Sequence, residues 1–315
     1  MDAETFRDLE TEQVARLVRE AGPKVCVFPI NGTRRWFLLE HPVKTEEDAG
    51  GAYLDVVGRR HVELYRLFFD HGLETLLAPV FGPELLTRGD QYMQMAAEGL
   101  TRLVRASAFR DFYQSYQVRV RFYGDHRKFF GPTPYAYLSD LFDEVTAWTV
   151  THDRYRLFYG VCAQDPVETV ADLAVRYHAQ RGRVPDRQTL VALYYGEAVP
   201  PVSLFIGFDR FWAFDMPLVT TGEEDLYFTV SPSPYLEERQ LRDILYDHLY
   251  ARRGDEPDYA ALGPESWSLM HDFYRANVGR TLGIGARHQR TGFWYPRPQV
   301  ELPGGFAEGA GTLGA

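Results

Sequence analysis

Short strand-like runs alternate with helix-like segments along most of the chain, and this alternation restricts the fold more than any other feature. Six runs rich in β-branched and aromatic residues, bounded by turn residues, predict strands at 24–30, 74–81, 117–123, 155–162, 202–208 and 225–230. Apolar residues at helical spacing predict helices at 11–20, 53–71, 83–106, 134–148, 166–181, 186–195 and 237–253. The sequence therefore predicts an α/β fold, with a mostly parallel central sheet and helices on both faces. Ligands of such sheets bind beyond the carboxyl ends of the strands.

The chain is long for one domain, but no change in composition divides its 315 residues. From about Val300 the sequence turns to proline, glycine and small residues, which favour disorder. We therefore predict one domain over 1–299 and a disordered tail over 300–315.

Acidic residues outnumber basic ones, 44 to 34, and the formal charge is −10. Such a protein repels nucleic acid and anionic membrane surfaces, so an anionic ligand needs a local binding site. No apolar run approaches the roughly 18 residues of a membrane span, and the N-terminal residues lack the pattern of a secretion signal. We therefore expect a cytoplasmic protein without nucleic-acid or membrane partners. Cys26 and Cys162 lie in strand-like runs without metal-ligand spacing, which predicts two buried thiols.

The turn after the first predicted strand carries the residues best suited to chemistry. Gly32 allows close approach of the backbone, the neighbouring amides can face an anion, and Arg34 and Arg35 offer forked donors to phosphate oxygens. This combination predicts a diphosphate-binding turn at residues 31–35. A tight turn with two exposed arginines is the alternative that spacing alone leaves open.

Familiar nucleotide and hydrolase signatures are absent, since the sequence contains no GxxxxGK[ST], no GxGxxG after a strand, no HExxH and no GxSxG. The acidic group Asp140, Asp143 and Glu144 loosely resembles the aspartate-rich metal motif of helical terpene cyclases. We interpret it as the solvated face of a helix, because the surrounding chain alternates strands and helices.

Several segments together resemble one enzyme family. Residues 25–36 (VCVFPINGTRRW) resemble the first block of cis-prenyltransferases, in which a strand leads into an Asp-Gly-Asn-x-Arg-Trp turn that binds an allylic diphosphate. Residues 225–228 (DLYF) and the helix 241–248 resemble their closing strand and helix. The chain resembles the tuberculosinol synthases, also called tuberculosinyl-adenosine synthases, and the related kolavelool synthases more closely than it resembles the chain-elongating cis-prenyltransferases. The blocks that carry this similarity are 22–25 (GPKV), 32–37 (GTRRWF), 122–125 (FYGD), 194–197 (YYGE), 205–208 (FIGF), 226–230 (LYFTV) and 244–248 (ILYDH).

The resemblance implies a cis-prenyltransferase fold, usually a homodimer, that no longer elongates prenyl chains. It implies that the domain over 1–299 ionises a bicyclic diterpenyl diphosphate of halimane or clerodane type. By the same resemblance, Arg34 and Arg35 bind the diphosphate and Gly32 and Thr33 supply turn amides. Tyr53 matches a tyrosine beside the reacting allyl group.

Three further positions are candidates by resemblance. Arg210 matches an arginine on the loop before the last strand, for which we predict phosphate binding, with a surface arginine as the alternative. Asn31 and Asp225 are candidate oxygen ligands for Mg²⁺. Position 31 departs from the family, whose catalytic turn has Asp there, and a neutral amide is a weaker Mg²⁺ ligand than a carboxylate. Asn31 either lends its carbonyl oxygen to Mg²⁺, hydrogen-bonds the diphosphate through its NH₂ group, or marks a weakened homologue.

The predicted reaction is departure of diphosphate followed by capture of the allylic cation by water, which gives a diterpene alcohol. Tyr53 orients the water or relays a proton. Transfer to adenosine or another nucleophile is an alternative that uses the same diphosphate site. Chain elongation is disfavoured, because the Arg-x-Ser-Gly-Glu block that normally binds the second diphosphate is absent. A non-catalytic partner subunit is a further alternative, which Asn31 keeps open.

Overall fold

Six parallel strands form the central sheet. The computed structural model describes residues 1–22, 24–41, 46–253 and 258–301, apart from the side chains of 46–50. The strands are β1 (Val25–Val27), β2 (Thr75–Phe81), β3 (Val118–Tyr123), β4 (Tyr155–Val161), β5 (Leu204–Phe208) and β6 (Asp225–Thr229). Their order across the sheet is β3-β4-β2-β1-β5-β6, and every neighbouring pair is parallel. All six carboxyl ends therefore lie at one edge of the sheet, and β1 is an interior strand.

Helices connect the strands and cover the sheet. They are α1 (Ala3–Arg7), α2 (Thr11–Glu20), α3 (Thr33–Glu40), α4 (Glu46–Asp70), α5 (Asp90–Arg105), α6 (Ser107–Tyr116), α7 (His126–Phe130), α8 (Tyr137–Trp148), α9 (Val167–Arg181), α10 (Arg187–Tyr195), α11 (Glu238–Leu249) and α12 (Pro264–Ala276). After α12, the strands β7 (Gly285–Arg287) and β8 (Trp294–Pro296) form a separate antiparallel pair.

The two faces of the sheet are covered unequally. One face packs against α2, α4, α5, α6, α8 and α11 and forms the larger core, in which many rings touch, as Phe28 and Phe68 do at 4.6 Å between centroids. The other face lies under α9, α10 and the loop 209–219, and its smaller core contains Val27 and Phe205. The predicted helices on both faces are confirmed, but on the second face a loop does part of the covering.

Most predicted elements are confirmed to within a few residues at each end, and α2 matches its predicted bounds. Its apolar residues Val14, Ala15 and Val18 face the core, and a capping box between Glu10 and Gln13 fixes its start. The helix predicted over 83–106 was wrong in its first part, because Gly89 has a φ of 91° and α5 starts only after it. No elements were predicted at α1, α3, α6, α7, α12 or the β7-β8 pair.

Of the tail predicted over 300–315, residues 302–315 lie outside the described part of the structure. The two described residues, Val300 and Glu301, follow β8, and the Glu301 backbone exchanges hydrogen bonds with the Asn277 side chain. Cys26 and Cys162 are free, buried thiols, as predicted. None of the helices in the described ranges combines the length and apolar character needed to cross a membrane.

Candidate active site

A tight turn joins the carboxyl end of β1 to α3. Gly32 is its pivot, with a left-handed backbone at φ 76° and ψ 13° that side-chain-bearing residues rarely adopt. A Cβ atom at this position would lie 2.9 Å from both the Phe208 ring and the Pro232 Cβ. Only glycine fits here, because the turn is pressed against the segments that follow β5 and β6.

The turn opens directly into the N-terminus of α3. The first amide to bond within the helix is that of Trp36, which donates to the Gly32 carbonyl oxygen at 2.9 Å. The amides of Thr33, Arg34 and Arg35 occupy the first turn, where backbone N–H groups have no partner within the helix. Gly32 has no side chain with which to cap them. These amides and the helix dipole have the orientation and charge that suit an anion.

Ser233, which follows β6, holds this turn in place. Its amide donates to the Asn31 carbonyl oxygen at 3.0 Å, and its hydroxyl accepts from the Asn31 amide at 3.1 Å and donates to the Pro29 carbonyl oxygen at 3.2 Å. Ser233 is fully buried. The segment around it is anchored in turn to α4, because the Arg60 guanidinium donates to the Pro234 and Leu236 carbonyl oxygens. The backbone that supports the anion site is therefore fixed from two sides.

Tyr53, on α4, is brought to the turn by a hydrogen bond to Thr33. The two hydroxyl oxygens are 2.8 Å apart, and the Tyr53 ring meets Phe37 edge to face at 5.3 Å. Burial raises the pKa of the Tyr53 phenol, while the hydrogen bond to Thr33 and the charge of Arg34 act in the opposite direction. Tyr53 is therefore a neutral hydroxyl near pH 7, next to the predicted diphosphate and Arg34.

Arg34 and Arg35 are both exposed and project from the first turn of α3. The Arg35 guanidinium lies over the Phe208 ring, 5.5 Å from its centroid. None of the ion pairs formed between described residues involves either arginine. Two cations next to free helix amides are available to an incoming anion, which suits a diphosphate.

The structure does not bring all the predicted residues together. Arg210 follows β5 within two residues of Phe208, so its backbone lies near the turn, but its side chain is exposed. Asp225 begins β6 and thus lies at the opposite edge of the sheet, roughly 13 Å from the carboxyl end of its own strand. Its carboxylate is within 2.6 Å of His248 Nδ1 and accepts a hydrogen bond from Arg253 at 2.9 Å. An ion bound at the turn is out of reach of Asp225.

The predicted magnesium ligands do not form a metal site by themselves. Among the described residues, no three His, Cys, Asp or Glu side chains are grouped so that they can hold a metal ion. At the turn, Asn31 offers one neutral amide oxygen, which is a weak ligand for a hard cation. The positive charge that faces a diphosphate here comes from the two arginines and from the helix N-terminus.

Three residues that shape the site were missed by the sequence analysis: Phe208, Pro232 and Ser233. Phe208 lay at the end of a predicted strand, with nothing to indicate that its ring faces the turn. The repeat Ser-Pro-Ser-Pro at 231–234 is a signal of a rigid connection after β6, since proline fixes the backbone. Its contact with residue 31 crosses 202 residues of sequence and is not readable from local patterns.

The six-stranded parallel sheet, with a tight turn into α3 at the carboxyl end of β1, belongs to the class of proteins with the cis-prenyltransferase fold. Lavandulyl diphosphate synthase from Lavandula x intermedia, solved with dimethylallyl diphosphate, matches with a TM-score of 0.57 and 16% identity, covering 75% of this chain and 98% of that one. A probable undecaprenyl diphosphate synthase from Campylobacter jejuni matches with a TM-score of 0.53 and 14% identity over the same shares. At these identities the likeness shows the fold.

Curated relatives show the family. The chain is 39% identical over 292 residues to the tuberculosinyl adenosine transferase of Mycobacterium tuberculosis, which covers 92% of this chain and 96% of the relative. It therefore belongs to this family of prenyl-transferring enzymes. It is also 24% identical over 285 residues to the (+)-kolavelool synthase of Herpetosiphon aurantiacus, covering 89% of this chain and 91% of that protein. No protein-family model matches the chain.

Proposed function

We propose that the protein ionises a bicyclic diterpenyl diphosphate at the turn and passes the allylic group to a nucleophile. One observation carries this proposal: Arg34 and Arg35 stand beside free helix amides at the carboxyl end of β1. The names of both curated relatives, a tuberculosinyl transferase and a kolavelool synthase, support a diterpenyl substrate. We also propose, from the names of the same two relatives, that the substrate has a halimane or clerodane skeleton.

In the proposed reaction, the bond between the allylic carbon and the ester oxygen breaks, and its electron pair leaves with the diphosphate. Arg34, Arg35 and the first-turn amides of α3 stabilise the charge that grows on the leaving oxygen, the interaction that contributes most when donors are already in place. Rings flank the turn on two sides, Phe208 under Arg35 and Tyr53 against Phe37. Aromatic faces attract an allylic cation through their quadrupole.

We infer that adenosine, rather than water, is the principal acceptor. The support is the sequence relationship, since identity is 39% to the adenosine transferase and 24% to the synthase. This reverses the preference for water that the motifs alone suggested. Capture by water to give an alcohol is the second candidate, and the Tyr53 hydroxyl near the diphosphate supports it, because a neutral phenol can orient a water molecule.

Three accompanying features are part of the proposal. We infer a cytoplasmic homodimer, on the resemblance to the cis-prenyltransferases. We infer that Mg²⁺, when it participates, binds mainly to the diphosphate and water, with Asn31 as its protein oxygen ligand. Arg210 is proposed to contact the diphosphate from the loop after β5, on the strength of its backbone position near the turn.

The test is product analysis with purified protein. Tuberculosinyl, kolavenyl and geranylgeranyl diphosphates are each incubated with Mg²⁺ or EDTA, with and without adenosine, and the extracts are analysed by mass spectrometry. We expect a diterpenyl adenosine from a bicyclic substrate, and an alcohol when adenosine is left out. Absence of turnover with every substrate, together with tight diphosphate binding, would favour a partner subunit without catalysis.

The arginines are tested in the same assay. We expect Arg34→Ala or Arg35→Ala to lower turnover by roughly a hundredfold, as loss of a preorganised donor does at an oxyanion site. Arg181→Ala is the matched control, since Arg181 is an exposed arginine at the end of α9. A loss below about threefold in both turn variants would remove the arginines from the diphosphate site.

A further inference from the structure

A second group of polar side chains lies beyond the carboxyl ends of β2, β3 and β4, apart from the arginines of the turn. We call it the acid pocket and define it by Glu84, Asp125, Cys162, Tyr194 and Asp215. Backbone hydrogen bonds tie three strand ends together here: the Asp125 amide donates to the Cys162 carbonyl oxygen at 3.1 Å, and the Cys162 amide donates to the carbonyl oxygen of the last β2 residue at 2.7 Å. Two conspicuous sequence blocks, 122–125 and 194–197, contribute residues to it.

The acid pocket contains buried groups that lack partners. Asp215 and Tyr194 are each 8% exposed, and neither the Asp215 Oδ1 atom nor the Tyr194 hydroxyl has a hydrogen-bond partner. Asp125 is equally buried and accepts one hydrogen bond, from the Thr169 hydroxyl at 2.5 Å. Buried polar groups in native proteins are normally satisfied, so unpaired ones indicate a place where a ligand or water binds.

Negative charge accumulates in the acid pocket. None of the ion pairs between described residues involves Glu84, Asp125 or Asp215. Burial, and then the charge of Glu84, raises the pKa of the Asp215 carboxyl to about 7. Burial, followed by the charges of Asp125, Asp215 and Glu84, raises the pKa of the Cys162 thiol to about 12, and burial with Asp125 and Asp215 raises that of Tyr194. Tyr194 and Asp215 lie at the same end of the sheet, because the Tyr194 ring is 6.2 Å from the Tyr123 ring and the Tyr123 hydroxyl donates to the Asp215 carbonyl oxygen.

The acid pocket lies near the diphosphate turn. The loop 209–219 starts beside the turn, because Phe208 packs against Gly32. Further along this loop, the Asp215 carbonyl oxygen accepts a hydrogen bond at 2.7 Å from the Tyr123 hydroxyl, which lies over β4. Only β2 separates β4 from β1, so the acid pocket and the turn are two strand spacings apart, about 10 Å. Glu84 is exposed, so the pocket opens to solvent at that residue.

The chemistry of these groups selects a class of ligand. In the described part of the chain they are not grouped as a metal site. Carboxylates and a phenol accept hydrogen bonds from hydroxyl and amino groups, and the phenol and a protonated Asp215 also donate. A diphosphate is excluded, because like charges repel. A neutral molecule with several hydroxyl and amino groups is complementary.

We propose that the acid pocket is the acceptor site of the transfer reaction and binds a purine nucleoside, with Asp215, Asp125 and Tyr194 contacting its amino and hydroxyl groups. This inference rests on the proposed function, whose diphosphate site is the turn. The placement separates the two substrates by charge: the cationic turn holds the diphosphate, and the anionic pocket holds the neutral acceptor.

The same charge assists the transfer step. The ester bond breaks with its electron pair on the diphosphate, and a lone pair of a nucleoside nitrogen forms the new bond to the allylic carbon. That nitrogen thereby gains a positive charge, which the carboxylates stabilise as it develops. The adduct then loses a proton to solvent, which leaves a product without the added positive charge.

The test is direct binding of adenosine to the full chain, by equilibrium dialysis with saturating inorganic diphosphate. We expect Asp215→Asn and Tyr194→Phe each to raise the Kd for adenosine about tenfold, the usual effect of losing a hydrogen bond that involves a charged or buried group. Asp140→Asn is the control, because Asp140 is an exposed aspartate on α8, and its Kd stays at the wild-type value. We expect Glu84→Gln, at the exposed end of the pocket, to give a smaller increase in the Kd for adenosine. This variant takes the place of Asp215→Asn if Asp215→Asn does not fold.

Either of two results would contradict the proposed acceptor site. In the first, the wild-type protein does not bind adenosine; in the second, the pocket variants bind adenosine with the wild-type Kd. Diphosphate release from the diterpenyl substrate without adenosine is measured in parallel and reports on the turn alone. Failure of that release contradicts the proposed function, whereas failure of the Kd to change contradicts only the acceptor site. Binding of Ca²⁺ at the pocket in place of adenosine would identify it as a cation site and count against the inference.

Discussion

The side chain at position 31 is an amide, and replacement of its nitrogen by an oxygen would give the turn a carboxylate. The backbone of Asn31 is held by Ser233 on both its amide and its carbonyl, so its side chain starts from a fixed position. Exchange of the amide for a carboxylate changes the charge with almost no change in size.

We expect Asn31→Asp to increase the dependence of turnover on Mg²⁺ by about tenfold, because a carboxylate binds this hard cation far better than an amide does. The measurement is turnover across a metal titration of both forms, with EDTA as the zero point. Asn277→Asp is the control, since Asn277 follows α12 and is the other asparagine of the chain. Identical titration curves for the wild type and the Asn31→Asp variant would mean that no metal acts at the turn.

Asp215 makes stability depend on pH with a sign opposite to that of most carboxylates. Its pKa in the folded protein is raised to about 7 from 3.8, so between these values the folded state holds a proton that the unfolded state has lost. Stability from this group is therefore complete below the unfolded pKa of 3.8 and falls as the pH rises towards 7.

We expect Asp215→Asn to gain on the order of 2 kcal/mol over wild type in free energy of unfolding between about pH 5 and pH 8, because the amide does not ionise. Urea unfolding of both proteins at the two pH values measures this difference. The prediction is wrong if the difference in free energy of unfolding between wild type and Asp215→Asn is the same at both pH values.

At the scale of elements, the start of α3 depends on the close approach of three segments at Gly32. A side chain there meets two obstacles, a left-handed backbone and the atoms of Phe208 and Pro232 at 2.9 Å. Gly182, at the end of α9, has a similar φ of 70° but open space around it. Alanine substitutions at Gly182 and Gly32 therefore distinguish the cost of a left-handed backbone alone from the added cost of steric contact.

We expect Gly182→Ala to lower the free energy of unfolding by about 1 kcal/mol, the usual effect of a left-handed alanine. Gly32→Ala should lower it by roughly 2–3 kcal/mol and abolish most diphosphate release, because the turn amides must move. Thermal or urea unfolding and the release assay measure the two effects. Equal losses of stability in both variants would show that the contacts with Phe208 and Pro232 are not restrictive.

The sequence predicted the sheet well because buried parallel strands are short apolar runs between turn residues, and that pattern is local. It missed α3 because Thr33–Glu40 buries only Phe37 and has no apolar stripe. It missed α12 for the same reason, since none of its residues is buried. In α6, by contrast, Phe109, Phe112 and Tyr113 have helical spacing that was available and overlooked.

A turn with Gly32, Thr33 and the two arginines could be predicted, because its signal lies within five consecutive residues, and the structure has these residues at the start of α3. Their binding of an anion stays a prediction. Only the family resemblance pointed to Tyr53, and its hydrogen bond to Thr33 was not predicted. The acid pocket was beyond sequence reasoning, since its five residues come from segments as far apart as 84 and 215. Only the folded sheet brings them to one edge.

At the scale of the molecule, residues 258–301 stand out as a region with many exposed apolar side chains. The large ones are Tyr259, Trp267, Leu269, Tyr274, Val278, Leu282, Ile284, Phe293, Tyr295 and Val300. Exposed apolar area of this extent is typical of a protein interface. It favours the inferred homodimer, with this region as part of the contact.

We expect light scattering to give twice the 36.2 kDa mass of one chain. Tyr274→Glu should shift the protein towards monomer, because a charge in an apolar interface is unfavourable. Val175→Glu is the control, since Val175 is equally exposed but lies on α9. A monomer for the wild-type chain, or the same response in both variants, would contradict the interface.

The hydrogen bonds between Ser233 and the turn also have a consequence for biosynthesis. Residues 29 and 31 meet Ser233 across 204 and 202 positions of sequence. At usual synthesis rates, roughly 10–40 s pass between the appearance of the turn and that of its support. A nascent or truncated chain that ends before Ser233 therefore carries the arginines on an unsupported loop. The turn therefore gains its support late in translation, after nearly all of the sheet has been made.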